Sequence, residues 1–145
     1  MTDLVFTPAT PQDDEDLAAL WQACGLTRPW NDPARDIAFA RNGAESDILI
    51  ARQDGALVAS VMVGHDGHRG VVYYVAVAPE KQSRGYGKQV MAAAENWLKA
   101  RGVWKLNLLV RAENEKVRGF YEKLGYEVEE RLCMARKIMD QNQAC

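Results

Sequence analysis

The stretch Val75-Ala76-Val77-Ala78-Pro79-Glu80-Lys81-Gln82-Ser83-Arg84-Gly85-Tyr86-Gly87-Lys88 decides the fold of this chain. It starts as the end of an apolar strand and crosses a polar turn after Pro79. It then leads into an amphipathic helix whose stripe is Val90, Met91, Ala94, Trp97 and Leu98. A helix beginning at the glycines presents backbone N–H groups that have no intrahelical partner, at the end of the dipole that favours an anion. Gly85 and Gly87 let a pyrophosphate approach the backbone, and Arg84 and Lys88 add positive charge at its edge. Two other phosphate loops fit poorly. A Walker loop around Gly87-Lys88 needs glycine at 82 and serine or threonine at 89, and both positions hold glutamine. A dinucleotide fingerprint lacks its third glycine, and no acidic residue closes a second strand about 20 residues further on.

Outward from this turn, the pattern predicts the order β-α-α-β-β-β-α-β-α-β, with a further strand if the last extended stretch is two. Leu4 to Thr7 reads as a first strand. Thr10 caps a helix over 11–24 that carries Pro11 and acids in its first turns and the stripe Leu17, Leu20, Trp21 and Cys24. Asp32-Pro33 starts a second helix that runs to about Asn42. Ile48–Arg52 and Leu57–Val63 flank Asp54-Gly55, a strong hairpin signal, and Val71–Val77 follows a second turn at Asp66-Gly67, so these strands form an antiparallel meander. Trp104–Val110 is a strand, Glu113–Leu124 a helix, and Tyr126–Ile138 one long strand or two short ones. The pattern predicts a single domain over 1–139 and a frayed tail at 140–145.

The 145 residues suffice to bury a core, and 48% hydrophobic with 26% charged residues is the composition of an ordinary globular chain. A net charge of -2 offers no general attraction to nucleic acid or anionic lipid. No run approaches the roughly 20 apolar residues of a membrane span, and Met1-Thr2-Asp3-Leu4 lacks the features of a signal peptide, so a cytoplasmic location is expected. Cys24, Cys133 and Cys145 are widely spaced with no C-x-x-C pair, which suggests reduced thiols and no metal site.

The run from Tyr74 to Gly87, with its Gln82-Ser83-Arg84-Gly85-Tyr86-Gly87 turn, resembles the cofactor motif of the GNAT superfamily of N-acetyltransferases. Asn114 followed by Gly119-Phe120-Tyr121-Glu122-Lys123-Leu124-Gly125-Tyr126 resembles the family's second signature, with Gly119 in place of a commoner small residue. The resemblance covers essentially the whole chain. It implies an α/β (α+β) GNAT fold, with a mixed, mostly antiparallel sheet of six to seven strands and helices on both faces. It also implies acetyl-CoA as cosubstrate, no metal, and transfer of acetyl to a primary amine by direct attack on the thioester.

Carried over by position, Val75, Ala76 and Val77 pair with the pantetheine arm through the backbone, and the Val75 N–H polarises the thioester carbonyl. Gln82, Ser83, Arg84, Gly85, Tyr86, Gly87 and Lys88 hold the pyrophosphate, and Asn114 contacts the pantetheine. Tyr121 serves the leaving thiolate with its phenol, unless it only packs on the helix face. Many relatives carry a glutamate base four residues before Val75, but here that position is Val71. Water, Glu113, Asp66, His65 and Asp32 remain as routes for the amine proton.

On the acceptor side, Trp30, Asn31 and Asp32 lie in a loop that borders the acceptor in relatives. Trp30 could face a cation and Asp32 could attract one, or Asp32 could simply cap the second helix. His65 and Asp66 precede the central strand, where a polar turn explains them equally well. Arg28-Pro29-Trp30-Asn31-Asp32 and Asp66-Gly67-His68-Arg69-Gly70 resemble stretches of a small bacterial subgroup. A small-molecule amine is the favoured acceptor, ahead of a peptide or protein amine or a non-catalytic acyl-CoA-binding role. The family resemblance is compatible with a monomer or a homodimer.

Overall fold

The computed structural model describes residues 3–141; Met1, Thr2 and 142–145, which include Cys145 and most of the expected tail, lie outside the described residues. The chain divides into two compact units, Met1–Leu108 and Leu109–Cys145. In the first unit the elements run β1 (Thr7–Pro8), a 3-10 turn (Pro11–Asp13), α1 (Asp14–Ala23), α2 (Pro33–Asn42), β2 (Ser46–Gln53) and β3 (Ala56–His65). These are followed by β4 (Gly70–Val77), a second 3-10 turn (Pro79–Lys81), α3 (Tyr86–Lys99) and β5 (Leu106–Asn107). The five strands form one sheet in chain order. β1 to β4 are antiparallel neighbours, and β5 joins β4 in parallel.

Local chemistry explains the helix ends. The Thr10 N–H donates to Asp13 Oδ2 at 2.8 Å and opens the first helical segment. It closes on a Schellman pair, Gly25 N–H to Gln22 O and Leu26 N–H to Trp21 O, with Gly25 at φ 70 where a side chain would be strained. The same pair of bonds closes α3 at Gly102. Asp32 caps α2 by accepting from the Ala34 N–H at 3.0 Å. Asp54 and Gly55, with φ 52 and 83, make the β2–β3 turn a type I′ turn that matches the strand twist.

The helices cover both faces of the sheet. Trp21 of α1 bonds Ser60 of β3, whereas Trp97 of α3 lies against His65 of the same strand. Residues 60 and 65 are an odd number of positions apart and point to opposite faces. Leu17, Trp21, Ile37, Ile48, Val61, Val63 and Val90 are fully buried in the resulting core. Each contributes roughly 1.5–3 kcal/mol or more by leaving water.

The second unit holds α4 (Glu115–Lys123), capped by the Asn114 side chain, which accepts from the Val117 N–H at 3.2 Å. It closes through Gly125 N–H to Glu122 O and Tyr126 N–H to Tyr121 O.

The sheet has five strands among the described residues, not the expected six to seven. The expected strand at 126–138 is not formed. A strand needs a neighbour for its ladder, and here the Arg131 N–H turns back to Glu129 O at 2.8 Å while Val128, Leu132, Met134 and Ile138 stay exposed. The first strand lies at Thr7–Pro8 instead of 4–7 and the fifth at Leu106–Asn107 instead of 104–110. In both cases pairing exists only where the neighbouring strand runs alongside. The helix expected over 11–24 is a 3-10 turn followed by α1.

Candidate functional site

The decisive stretch occupies the end of β4 and the turn into α3. Pairing of β4 with β5 stops at Val71↔Asn107, so the edge from Tyr73 to Val77 carries no strand partner on that side among the described residues. On its other side β4 pairs with β3, as Met62↔Tyr73 and then Ser60↔Ala76. Tyr74 and Val75 therefore oppose Val61 alone, which is a β-bulge. Tyr74 sits at φ 51, in the left-handed region.

The bulge aims a donor. Ser60 Oγ donates to the Tyr74 carbonyl at 3.3 Å, and that carbonyl shares its planar trans peptide with the Val75 N–H. The two groups of one trans peptide point in opposite directions. With the carbonyl held toward β3, the Val75 N–H points away from β3, to the unpaired edge. Val77 is placed differently: its carbonyl already accepts from Gln82 Nε2 at 3.0 Å and from Cys24 Sγ at 3.2 Å. With both lone pairs engaged, a ligand amide there would replace one of them, and Gln82 is the exposed partner. Burial pushes the Cys24 thiol up, against the hydrogen bond to Val77. Ala76 is buried and contributes only backbone.

Beyond the second 3-10 turn, Ser83 and Gly85 have φ 65 and 81, and Gly85 is the N-cap of α3 with no side-chain cap hydrogen bond. The first-turn N–H groups at Tyr86, Gly87 and Lys88 are thus presented as a set, flanked by the exposed Arg84 and Lys88. Tyr86 offers backbone only, because its side chain is buried and its hydroxyl accepts from Gln53 Nε2 at 2.8 Å. This bond ties the start of α3 to the end of β2.

The other expected site residues are distributed as follows. Trp30 is exposed, the Asn31 N–H closes a turn on Arg28 O, and Asp32 is the α2 cap. One helical turn later, Asp36 Oδ2 accepts from the Tyr74 hydroxyl at 2.6 Å, so the start of α2 lies on the bulge's face of the sheet. His65 and Asp66 are at the other end of β4. Roughly 15 Å of strand, at ~3.3 Å per residue, separates that turn from Val75. His65 Nε2 meets Glu45 Oε2 at 2.6 Å, and Nδ1 accepts from the Gly67 N–H at 3.0 Å. Asp66 accepts from the Arg69 and His68 N–H groups, and those bonds hold its carboxyl below the usual range. Both residues are built into the turn.

In the second unit, Asn114 uses its side-chain oxygen as a cap while its amide nitrogen keeps two donors. Tyr121 packs edge-on against Phe120 and Tyr126, with centroids 5.0 and 5.7 Å away, and burial raises its phenol. Glu113 is exposed. No group of three or more metal-ligating side chains occurs among the described residues, and no described helix is long and apolar enough to cross a membrane.

Sequence reasoning missed the bulge at Tyr74 and the residues around it, Ser60 and Asp36, and took Trp21 only as a core residue. One signal was present: Ser60 is a lone hydroxyl inside the apolar run Leu57–Val63.

An open strand edge with an aimed N–H, leading through an uncapped turn to a helix N-terminus, is a site suited to an acylated, diphosphate-bearing carrier. The model of the acetyltransferase (GNAT) family matches residues 14–126, and the chain belongs to that family of acyltransferases. An acetyltransferase of Yersinia enterocolitica is 44% identical over 127 residues, which cover 88% of this chain and 90% of the relative. An acetyltransferase of Pectobacterium atrosepticum is 42% identical, covering 89% and 92%.

Among solved structures, AAC(6')-Iy, described in a second structure as an aminoglycoside N-acetyltransferase, superposes with a TM-score of 0.81 in its complex with a bisubstrate analogue of CoA and acetylneamine. It does so at 18% identity, over 95% of this chain and 100% of that one. A ribosomal-protein-alanine N-acetyltransferase from Brucella melitensis biovar Abortus gives 0.74 at 20% identity, over 94% and 100%. The fold is common to enzymes whose acceptors differ.

Proposed function

We propose that this acetyltransferase takes acetyl-CoA as cosubstrate and moves the acetyl group to a primary amine, a small-molecule amine in preference to a peptide. The observation that carries the reading is the Val75 N–H held toward the unpaired edge of β4, immediately before an uncapped helix N-terminus flanked by Arg84 and Lys88.

In this reading, residues 82–88 hold the diphosphate by backbone N–H groups and charge, and the edge from Val75 to Val77 aligns the pantetheine arm as a strand would be aligned. The Val75 N–H donates to the thioester oxygen, which gains charge as the amine nitrogen bonds to the carbonyl carbon and the C–S bond breaks. The departing thiolate accepts a hydrogen bond from the Tyr121 phenol, which burial raises, or takes its proton to leave as the thiol, the phenolate then regaining a proton from water. The amine's proton passes to water or a carboxylate. Asn114 is proposed to donate to the pantetheine through its amide nitrogen. Trp30, Asn31 and Asp32 are proposed to border the acceptor, because α2 begins on the bulge's face. His65 and Asp66 would then serve an acceptor long enough to reach their turn.

The small-molecule preference is supported by the aminoglycoside enzyme among the structural neighbours; the ribosomal-protein enzyme keeps the peptide alternative in the test. Calorimetric titration with acetyl-CoA should show one site per chain, and thiol release should then be measured across polyamines, amino acids, aminoglycosides and peptides. No acetyl-CoA binding would remove the reading, and turnover confined to peptides would reverse the acceptor preference.

A further inference from the structure

The β4 bulge is formed without glycine. Tyr74 has a bulky side chain at φ 51, a conformation that costs an L-residue roughly 1–2 kcal/mol and persists only where its surroundings over-determine it. Here they grip it at three points. Its ring stacks on Trp21 with centroids 3.8 Å apart and planes 6° from parallel. Its hydroxyl donates to Asp36 Oδ2 at 2.6 Å. Its carbonyl accepts from Ser60 Oγ, and Ser60 in turn accepts from Trp21 Nε1 at 2.9 Å. Trp21 and Ser60 are both 0% exposed, so no solvent competes for the bond between them. Burial, followed by the bond to Asp36, keeps the Tyr74 phenol well above the usual range, so it remains a donor.

These bonds form a chain with one polarity. The Trp21 indole N–H donates to Ser60, the Ser60 hydroxyl donates to the Tyr74 carbonyl, and that carbonyl lies in the same peptide as the Val75 N–H. Each donor in such a series strengthens the next, by ~10–30% per bond. We propose that Trp21, Ser60 and Asp36 are positioning residues for acyl transfer: through Tyr74 they hold and polarise the one peptide whose N–H meets the thioester carbonyl. The proposal rests on the reading of Val75 as that donor. It assigns a role in the chemical step to a buried serine and a tryptophan that a packing account would leave in the core.

The test reads the carbonyl directly. Isotope-edited infrared difference spectra of acetyl-CoA labelled with 13C at the thioester carbonyl are recorded bound to the wild type and to the Ser60→Ala, Tyr74→Phe, Asp36→Ala and Asp36→Asn variants. Calorimetry supplies the affinity and thermal melts confirm folding. In the wild type the bound band should fall below its free-solution position. Ser60→Ala and Asp36→Ala should lose at least about half of that downshift and about tenfold in slow hydrolytic thiol release, with affinity within about threefold. Asp36→Asn, which still accepts from the phenol, should retain the shift.

Folded Ser60→Ala and Asp36→Ala variants with the wild-type band would overturn the proposal, leaving the four residues a packing role alone. If Ser60→Ala does not fold, Tyr74→Phe and Asp36→Ala decide the matter, because they act at the half-buried end of the chain. A wild type that binds acetyl-CoA with an unshifted band would remove Val75 as the donor, and the positioning role with it. A wild type that does not bind acetyl-CoA would remove the acetyl-transfer reading itself.

Discussion

Gly85 is the position where backbone conformation and the proposed diphosphate binding meet, and replacing it by alanine separates the two. At φ 81 and ψ 5 the residue is left-handed and caps α3. An L-residue there pays about 1–2 kcal/mol. That cost has two places to appear. If the variant keeps the native turn, the loss is in stability; at ~2–4 °C per kcal/mol for a chain of this size, the melting midpoint falls by about 2–8 °C. If the free variant relaxes the turn, stability is spared and acetyl-CoA must restore it on binding. The dissociation constant then rises about 5–30-fold.

Thermal melts and calorimetric titrations of Gly85→Ala, alongside Gly85→Asn, measure both quantities. Asparagine tolerates the left-handed region better than alanine, so it should recover at least part of the loss despite its greater bulk. An alanine variant equal to the wild type in both measurements would refute the backbone argument. An asparagine variant worse than alanine would show that space, and not φ, is what Gly85 provides.

Other changes probe separate parts of the molecule. Tyr121→Phe should lower turnover about tenfold or more while leaving acetyl-CoA affinity within about threefold; undiminished turnover excludes the acid role. A β-carbon at Gly70 would lie 2.5 Å from Leu98 Cδ1, and Leu98 is itself buried, so Gly70→Ala should cost roughly 1–3 kcal/mol in urea unfolding. An unchanged midpoint would mean that Leu98 has room to turn aside.

The Asp13 carboxyl is held below its usual range by the Thr10 N–H first and by Arg52 second. A carboxyl lowered by folding stabilises above its unfolded pKa, ~3.9, and loses that contribution as pH falls through the lower folded value. Asp13→Asn should therefore cost about 0.5–1 kcal/mol at pH 7. The gap to the wild type should close below about pH 4; a gap that persists there would contradict the ionic origin.

Features that depend on a few adjacent residues were legible in the sequence. Asp54-Gly55 specified its turn, Asp32-Pro33 specified the α2 cap, and the change of period at Gly85 marked the helix start. The bulge was not legible, because Val72 to Val77 is an unbroken apolar and aromatic run, where no alternation of apolar and polar residues betrays a slip in register. Its support comes from Trp21, Asp36 and Ser60, which are far from Tyr74 in sequence. The C-terminal strands were overread for a related reason. Val128, Leu132 and Ile138 have strand-forming character, but pairing depends on a neighbour, which a local pattern does not contain. His65 and Asp66 were legible as polar residues beside a central strand, but the hydrogen bonds that build them into the turn depend on backbone geometry that the letters do not show.

The flat stack of Trp21 on Tyr74 also gives the molecule an optical label at the bulge. The chain has four tryptophans. Trp30 and Trp104 are exposed, and Trp97 lies 3.5 Å beneath the Arg101 guanidinium, whereas Trp21 is sealed from solvent with its indole N–H bonded to Ser60. Acrylamide will therefore quench the outer rings first and leave a blue-shifted residual emission belonging to Trp21. Any loosening of the Tyr74 backbone changes that residual light without an introduced dye, so the strained peptide can be followed in real time by its own fluorescence.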